Sequence, residues 1–504
     1  MPKIVLATIN ARHIHASLGL RCLLANMGDL QSQTEIREFT LESRPVDIAE
    51  QLLAGRPAII GLGIYIWNCE QSTRLVSLVK AVSPETMLVI GGPEVSHEWE
   101  TQRIVQEADY LVTGSADLSF AALCRSLLAG AVPESRVIHS EPPLLQRLAS
   151  PYPFYGDADI AHRLIYVEAS RGCPFRCEFC LSALDRSAWL FGLEQFLAEM
   201  DRLLQRGARH FKFVDRTFNL KLEQSLTILD FFLARMEPDL FLHFEVIPDR
   251  LPEQLQSRLR KFPPGSLQLE IGIQTFNPAV AERISRKQDY RKTRQNLDWL
   301  RRETHAHLHA DLIVGLPGEG IASFAAGFDQ LIALAPQEIQ VGILKRLRGT
   351  PIVRHSDQFS MRFNPNPPYD ILSNDRIDFA SMQRLNRFTR YWDLIGNSGR
   401  FRETLPALLG EAPFERFMQL SEWLYAATGQ VHRIALKRLF ELVYQGLVTQ
   451  LGIEPDTAAS LLGQDYRRTG SKGLPGFLQA EGARERAGAA GRISRDTRQL
   501  RYSS

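Results

Sequence analysis

Two successive series of short apolar strands, each alternating with amphipathic stretches, constrain the fold more than any single residue does. The first occupies about residues 1–140, where KIVLATI, AIIGLGIYI, MLVIGG and YLVTG are separated by helical patterns, one of them near Gly19–Met27. Near-continuous apolar strands spaced by helices belong to parallel sheets covered on both faces. This region therefore reads as an α/β domain with a Rossmann-like parallel sheet. The second series fills about residues 160–352, with LIYVEAS, FKFVD, FLHFEVIP, LQLEIGIQT, HADLIVG and EIQVGIL. Six strand-helix repeats predict a partial (β/α)6 barrel.

Between the two series, residues 141–159 (EPPLLQRLASPYPFYGDAD) are rich in proline and turn formers and read as a linker. Beyond them, residues 353–480 lose the strand rhythm and read as a mostly helical domain. There Leu436, Leu439, Phe440, Val443 and Leu447 share one helical face. Residues 481–504, rich in Gly, Ala and Arg, read as a disordered tail. The whole is an α/β multidomain chain of 504 residues.

Composition narrows the function classes. The net charge of +2 carries no nucleic-acid signature. No segment approaches the roughly 20 apolar residues of a membrane span. The start, MPKIVLATINARH, lacks a signal-peptide pattern, so the expected location is the cytoplasm.

Three of the six cysteines crowd into RGCPFRCEFCLSA as Cys173, Cys177 and Cys180, directly after the strand LIYVEAS. Cys22, Cys69 and Cys124 stand apart among apolar neighbours and read as structural thiols. Soft thiolates suit iron–sulfur clusters, and three of them leave one iron of a 4Fe–4S cubane open to a small ligand. A structural zinc site would instead need a fourth group recruited from elsewhere, such as a distant histidine.

The Cys-x3-Cys-x2-Cys spacing, with Phe179 just before the last cysteine, resembles the radical S-adenosylmethionine enzymes. That resemblance implies a 4Fe–4S cluster held by Cys173, Cys177 and Cys180. It also implies S-adenosylmethionine chelated to the open iron and its reductive cleavage to a 5'-deoxyadenosyl radical. A reducing donor such as a flavodoxin or ferredoxin is implied as a partner. The likeness extends from about Leu164 to Pro351 and implies cofactor contacts at Asp215, Glu245, Gln274, Arg286 and Asp311. Each of these also has a plain alternative as a strand-end cap or loop brace.

The first domain is similar to the cobalamin-binding module of cobalamin-dependent radical enzymes, through GLGIYIWN and GGPEVS. The small turn residues Gly61, Gly63, Gly91 and Gly92 would then let cobalamin approach the sheet. The Asp-x-His-x-x-Gly motif that supplies a lower axial histidine is missing, and GSADLSF replaces the usual acidic turn. His13 and His15 follow the first strand, either as solvated loop residues or as cofactor neighbours. The third region resembles a C-terminal domain appended to this class, expected over the barrel mouth, with Tyr369, Asn374 and Arg400 as pocket candidates and residues 364–374 as a lid. Lys345, Arg346 and Arg348 read as surface charges. The implied function is that of a cobalamin-dependent radical enzyme, with methyl transfer to an unactivated substrate atom as the leading outcome. The alternatives are rearrangement, cyclisation or oxidation, or a non-catalytic cluster and cobalamin sensor.

Overall fold

Strand β1 (Ile4–Asn10) is buried along its whole length because it lies inside a sheet rather than at its edge. Around it are β2 (Thr34–Thr40), β3 (Ile59–Gly63), β4 (Met87–Gly91), β5 (Tyr110–Gly114) and β6 (Val137–Ser140). They form one parallel sheet in the order β2-β1-β3-β4-β5-β6. Sequence reasoning found four of these strands and missed the two at the edges. TEIREFT carries three charges and VIHS is only four residues long, so neither shows the apolar run that marks an interior strand. Apolar clusters cover both faces of the sheet. The order in which strands are added reverses between β1 and β3, and in an open parallel sheet ligands bind at that switch point, beyond the carboxyl ends of the strands.

The second sheet contains β7 (Ile165–Val167), β8 (His210–Phe213), β9 (Phe241–Val246), β10 (Leu267–Gln274), β11 (His307–Val314) and β12 (Glu338–Ile343). All six are parallel and in sequential order, as expected of a partial barrel. Side chains alternate along each strand. On β10 the buried Leu267, Leu269, Ile271 and Ile273 join the main core, while Gln268, Glu270, Gly272 and Gln274 are only partly covered. The outer layer is strongly aromatic, with Phe213 in ring contact with Phe196, Phe218, Phe232 and Phe244.

Helices Phe379–Ile395, Pro413–Thr428, Leu436–Thr449 and Pro455–Arg468 make up most of the third region. Leu439, Phe440, Val443 and Leu447 of the expected stripe are buried, and Leu436 is partly covered. Helix Phe379–Ile395 packs against β12, the open edge of the barrel. Asn397 accepts from Ile339 N at 3.0 Å and donates to Ile339 O at 2.9 Å, and Trp392 Nε1 donates to the same carbonyl at 2.9 Å. The physical reason is that an incomplete barrel leaves backbone groups unpaired at its last strand, and these must be satisfied or covered. The structure is a computed structural model that describes residues 3–479. The tail expected at 481–504 lies outside the described residues. Among them, no helix is long and apolar enough to cross a membrane.

Candidate functional site: a cysteine loop and an interdomain cavity

The cysteine loop leaves the carboxyl end of β7 and folds back on itself. Gly172 (φ +92°) makes this possible, since a Cβ there would sit 2.7 Å from Ser187 Oγ and 2.8 Å from Ala188 N. Cys173 N donates to Asp185 O at 2.7 Å, and Cys180 N to Cys177 O at 3.1 Å. Cys173 and Cys177 are buried and Cys180 is half-buried. Burial pushes the Cys173 thiol up to about 11, with Cys177 and Cys180 close enough to add to the shift. Three neighbouring thiols on one loop fit a cubane, whose irons would displace these protons on binding. Among the described residues, no three His, Cys, Asp or Glu side chains converge to hold a single ion.

Arg286 joins this loop to the barrel: Nη1 lies 3.5 Å from Cys177 Sγ, Nη2 donates to Gly272 O, and Nε donates to Gln288 at 3.1 Å. Gln274 sits beside it, at a register shift of β10 and with a left-handed backbone (φ +71°) rare for a non-glycine residue. Glu319 of the GLPGE turn stiffens this corner by accepting from Thr275 Oγ1 at 2.7 Å and Ser323 Oγ at 3.0 Å.

Glu245 and Asp311 face the lumen with a set of charged residues that sequence reasoning missed. Glu245 accepts from Arg216 at 2.7 Å. Level with it on the next strand, Glu270 lies 2.9 Å from His243 Nε2 and 3.5 Å from Lys212 Nζ. His309 contacts Asp311 at 3.1 Å and Glu338 at 3.4 Å. Burial pushes the Glu245 carboxyl up, and the like charges of Glu270 and Asp311 add to this against the pull of Arg216. For Glu270 burial is outweighed by the His243 hydrogen bond and the Lys212 charge, which hold it well below the usual carboxylate range. Burial also raises Asp311. The lumen therefore offers a carboxylate that takes up a proton readily beside one that resists it.

Asp215 is placed differently. It is buried at the end of β8 and accepts from Ala169 N at 3.0 Å and Ser170 Oγ at 2.5 Å, bracing the chain that leads into the cysteine loop. Burial lifts its carboxyl to about 6 despite these hydrogen bonds.

Gly61, Gly63, Gly91 and Gly92 all line a cavity of about 670 Å³ at the switch point of the first sheet. The wall itself needs three of these glycines: a Cβ would approach the Phe120 ring to 2.7 Å from Gly61, Val112 O to 3.0 Å from Gly91 and Ile64 O to 2.5 Å from Gly92. The stacked rings of Tyr65 and Trp67, 4.5 Å between centroids, line another part. Barrel residues Tyr166, Glu168, Arg171 and Val214 close it from the far side. Two pairs bridge the domains across its rim. His15 Nδ1 lies 2.7 Å from Tyr166 OH, and Asp117 of GSADLSF accepts from Arg171 at 3.0 Å. His13 is exposed, and its carbonyl accepts from Arg163 Nε at 2.7 Å. The volume, the small-residue wall and the aromatic face suit a large organic cofactor.

Family models account for most of the chain. Residues 3–124 match the B12 binding domain, residues 167–330 the radical SAM superfamily, and residues 357–501 a protein family of unknown function. This chain joins a B12 binding domain to a radical SAM domain. The cofactor set is accordingly a 4Fe–4S cluster, S-adenosylmethionine and cobalamin. The B12 binding match spans the glycine-lined cavity wall, and the radical SAM match spans the cysteine loop and the four middle barrel strands, β8 to β11.

The carbapenam methyltransferase 2-(S-pantetheinyl)-carbapenam-3-carboxylate methyltransferase of Streptantibioticus cattleyicolor is 25% identical over 337 residues, covering 58% of this chain and 48% of the relative. The cobalamin-dependent radical SAM methyltransferase TokK of Streptomyces tokunonensis is 26% identical over 360 residues, covering 62% and 51%. The chain thus spans about half the length of the curated relatives it matches. Among solved structures, the methyltransferase TsrM of Kitasatospora setae with cobalamin and a [4Fe-4S] cluster superposes with a TM-score of 0.60 at 16% identity, covering 94% of this chain and 100% of TsrM. The cobalamin-dependent radical enzyme OxsB superposes with a TM-score of 0.62 at 13% identity, covering 96% and 80%. At such identities the superpositions speak for the fold.

Sequence reasoning named the cysteines and the glycine turns because each group is contiguous along the chain. Asp117, Arg171, Tyr166 and Glu270 were missed. Their partners lie in other strands or in the other domain, and no local spacing signals them.

Proposed function

We propose that this protein is a cobalamin-dependent radical S-adenosylmethionine enzyme that transfers a methyl group to an unactivated substrate atom. The observation that carries this reading is the cavity shared by the two domains: glycine turns of the B12 binding domain form one wall, and the strand ends that lead into the cysteine loop form the other. When bound, the cluster supplies the electron that cleaves S-adenosylmethionine, and cobalamin supplies methyl-group chemistry.

In this reading Cys173, Cys177 and Cys180 hold the cluster, and Arg286 fixes the loop against β10. Glu245, Gln274 and Asp311 line the lumen where polar groups of S-adenosylmethionine are received, and Asp215 acts through the strand end it braces. Gly61, Gly63, Gly91 and Gly92 shape the cobalamin wall. Domain limits near residues 140, 160 and 352 follow from the same reading. A one-electron donor such as a flavodoxin or ferredoxin and a cytoplasmic location complete it. The substrate is received where the lumen meets the cavity.

The test is anaerobic incubation of reconstituted protein with reductant and S-adenosylmethionine labelled at its S-methyl group. The methyltransferase reading expects S-adenosylhomocysteine, with label in the corrinoid fraction. 5'-deoxyadenosine without S-adenosylhomocysteine or corrinoid label would favour rearrangement, cyclisation or oxidation instead.

A further inference from the structure

The segment that follows β12 touches both cofactor regions within a few residues. At one end it grips the turn after β4. Arg348 Nε donates to Glu94 at 3.0 Å, Arg346 Nη2 to Glu98 at 2.8 Å, and Gly349 N to Glu98 at 3.2 Å. Tyr369 OH donates to Glu94 at 2.5 Å, and the Arg348 guanidinium lies 4.9 Å from the centre of the Tyr369 ring. Glu94 follows Gly92 of the cavity wall by two residues, and Ser96 Oγ donates to Gly92 O at 2.8 Å.

At its other end the segment grips the cysteine loop. Ile352 N donates to Glu178 O at 3.0 Å. The Glu178 carboxylate, between the second and third cysteines, meets Arg354 Nε at 2.8 Å, His355 Nε2 at 2.8 Å and Ser285 Oγ at 2.6 Å. The start of the segment is paired along its backbone, since Leu344 O accepts from Ile371 N at 2.8 Å and Arg346 N donates to Tyr369 O at 3.0 Å, and Ile352 further on is fully buried.

Glu94 and Glu178 are each only 3% exposed. A carboxylate so far removed from water is tolerated when its charge partners are seated, so partial docking of either end is disfavoured. The two contacts therefore favour one discrete seating of the segment rather than a graded set.

We propose that residues 344–355, locked by Tyr369, form a brace that fixes the cobalamin-side turn relative to the cluster loop, with Arg348 and Glu178 as its positioning residues. The brace gives the C-terminal region a task at the site: Tyr369 and the strand pair around it hold the segment in place, and residues 364–374 serve as its anchor. The proposal rests on the two-cofactor reading for its catalytic meaning and on the contacts above for its mechanics.

The test perturbs one end and reads the other. Amide hydrogen exchange is measured on the full chain without cofactors for Arg348→Gln and the milder Tyr369→Phe. Arg384→Gln, which breaks an exposed pair with Glu422 within the helical region, is the control. Faster exchange is expected both at residues 92–98 and at residues 173–180 in the first two variants, and at neither in the control. Arg348→Lys should recover part of the protection. Exchange that rises only at residues 92–98, or rises equally in the control, overturns the brace. In protein loaded with a reduced cluster and cob(II)alamin, the resolved magnetic coupling between the two paramagnets should be lost in Tyr369→Phe while both remain bound. Unchanged coupling there overturns the positioning role. Failure of the native chain to load either cofactor would instead refute the two-cofactor reading, with the exchange experiment still deciding the brace.

Discussion

Gly92→Ala isolates how tightly the cavity wall is built. Gly92 holds φ +110°, and an added Cβ would stand 2.5 Å from Ile64 O and 3.0 Å from Ile64 N. Those atoms are backbone at the end of β3, so no side chain can swing aside, and the turns after β3 and β4 must separate. Gly130→Ala provides the comparison, because Gly130 also has positive φ (+76°) but nothing lies within 4 Å of the new Cβ. Left-handed backbone alone costs about 1–2 kcal/mol for a residue with a Cβ. Overpacking against fixed neighbours adds roughly 1–3 kcal/mol, so Gly92→Ala should lose about 2–5 kcal/mol. Local stability is read by hydrogen exchange across β3 and β4, and corrinoid retention by absorbance after gel filtration. Gly92→Ala should lose both protection and corrinoid, and Gly130→Ala should keep its corrinoid. Equal losses in the two variants, or full retention by Gly92→Ala, would refute the idea that the close approach of these turns forms the wall.

Replacing any one of Cys173, Cys177 or Cys180 by Ala should abolish 5'-deoxyadenosine formation and lower bound iron, measured by iron and sulfide content, while corrinoid binding persists. Asp215 carries a pH signature. Its folded carboxyl, near 6, lies above the ordinary 3.8, so the folded state holds this proton more tightly than the unfolded chain does. The cost is absent below about pH 3.8, grows as pH rises to about 6 and is then constant, at roughly 3 kcal/mol. Asp215→Asn should flatten that slope in pH-dependent thermal melts; an unchanged slope would show that the carboxyl is not strained by burial. Phe213→Ala, which empties the centre of four ring contacts, should cost about 3–5 kcal/mol in barrel stability by chemical denaturation. Arg286→Met removes the tie between Cys177 and Gly272 and should change the electron paramagnetic resonance signal of the reduced cluster while keeping iron content.

The sequence made the interior of both sheets readable because buried parallel strands must be apolar over several residues. Edge strands β2 and β6 escaped because solvent on one side permits charge or shortness. The same distinction holds at the site. The cysteine loop is contiguous, and its chemistry is written in its spacing. The pairs Asp117–Arg171 and His15–Tyr166 exist only once two domains dock, and Glu270–His243 depends on the register between β9 and β10. The third region shows this most clearly. Arg346 and Arg348 read as surface charges from sequence, yet both meet acidic partners of the first domain. Tyr369 was a pocket candidate and is instead buried against Glu94.

The most direct test of the two-cofactor account is anaerobic reconstitution with iron, sulfide and hydroxocobalamin, followed by removal of unbound cofactor and reduction in the presence of S-adenosylmethionine. Retained corrinoid and newly formed 5'-deoxyadenosine are then measured on the same sample. The account predicts both signals together. 5'-deoxyadenosine without retained corrinoid would contradict the role given to the cavity, and corrinoid without 5'-deoxyadenosine from fully clustered protein would point to a carrier or sensor.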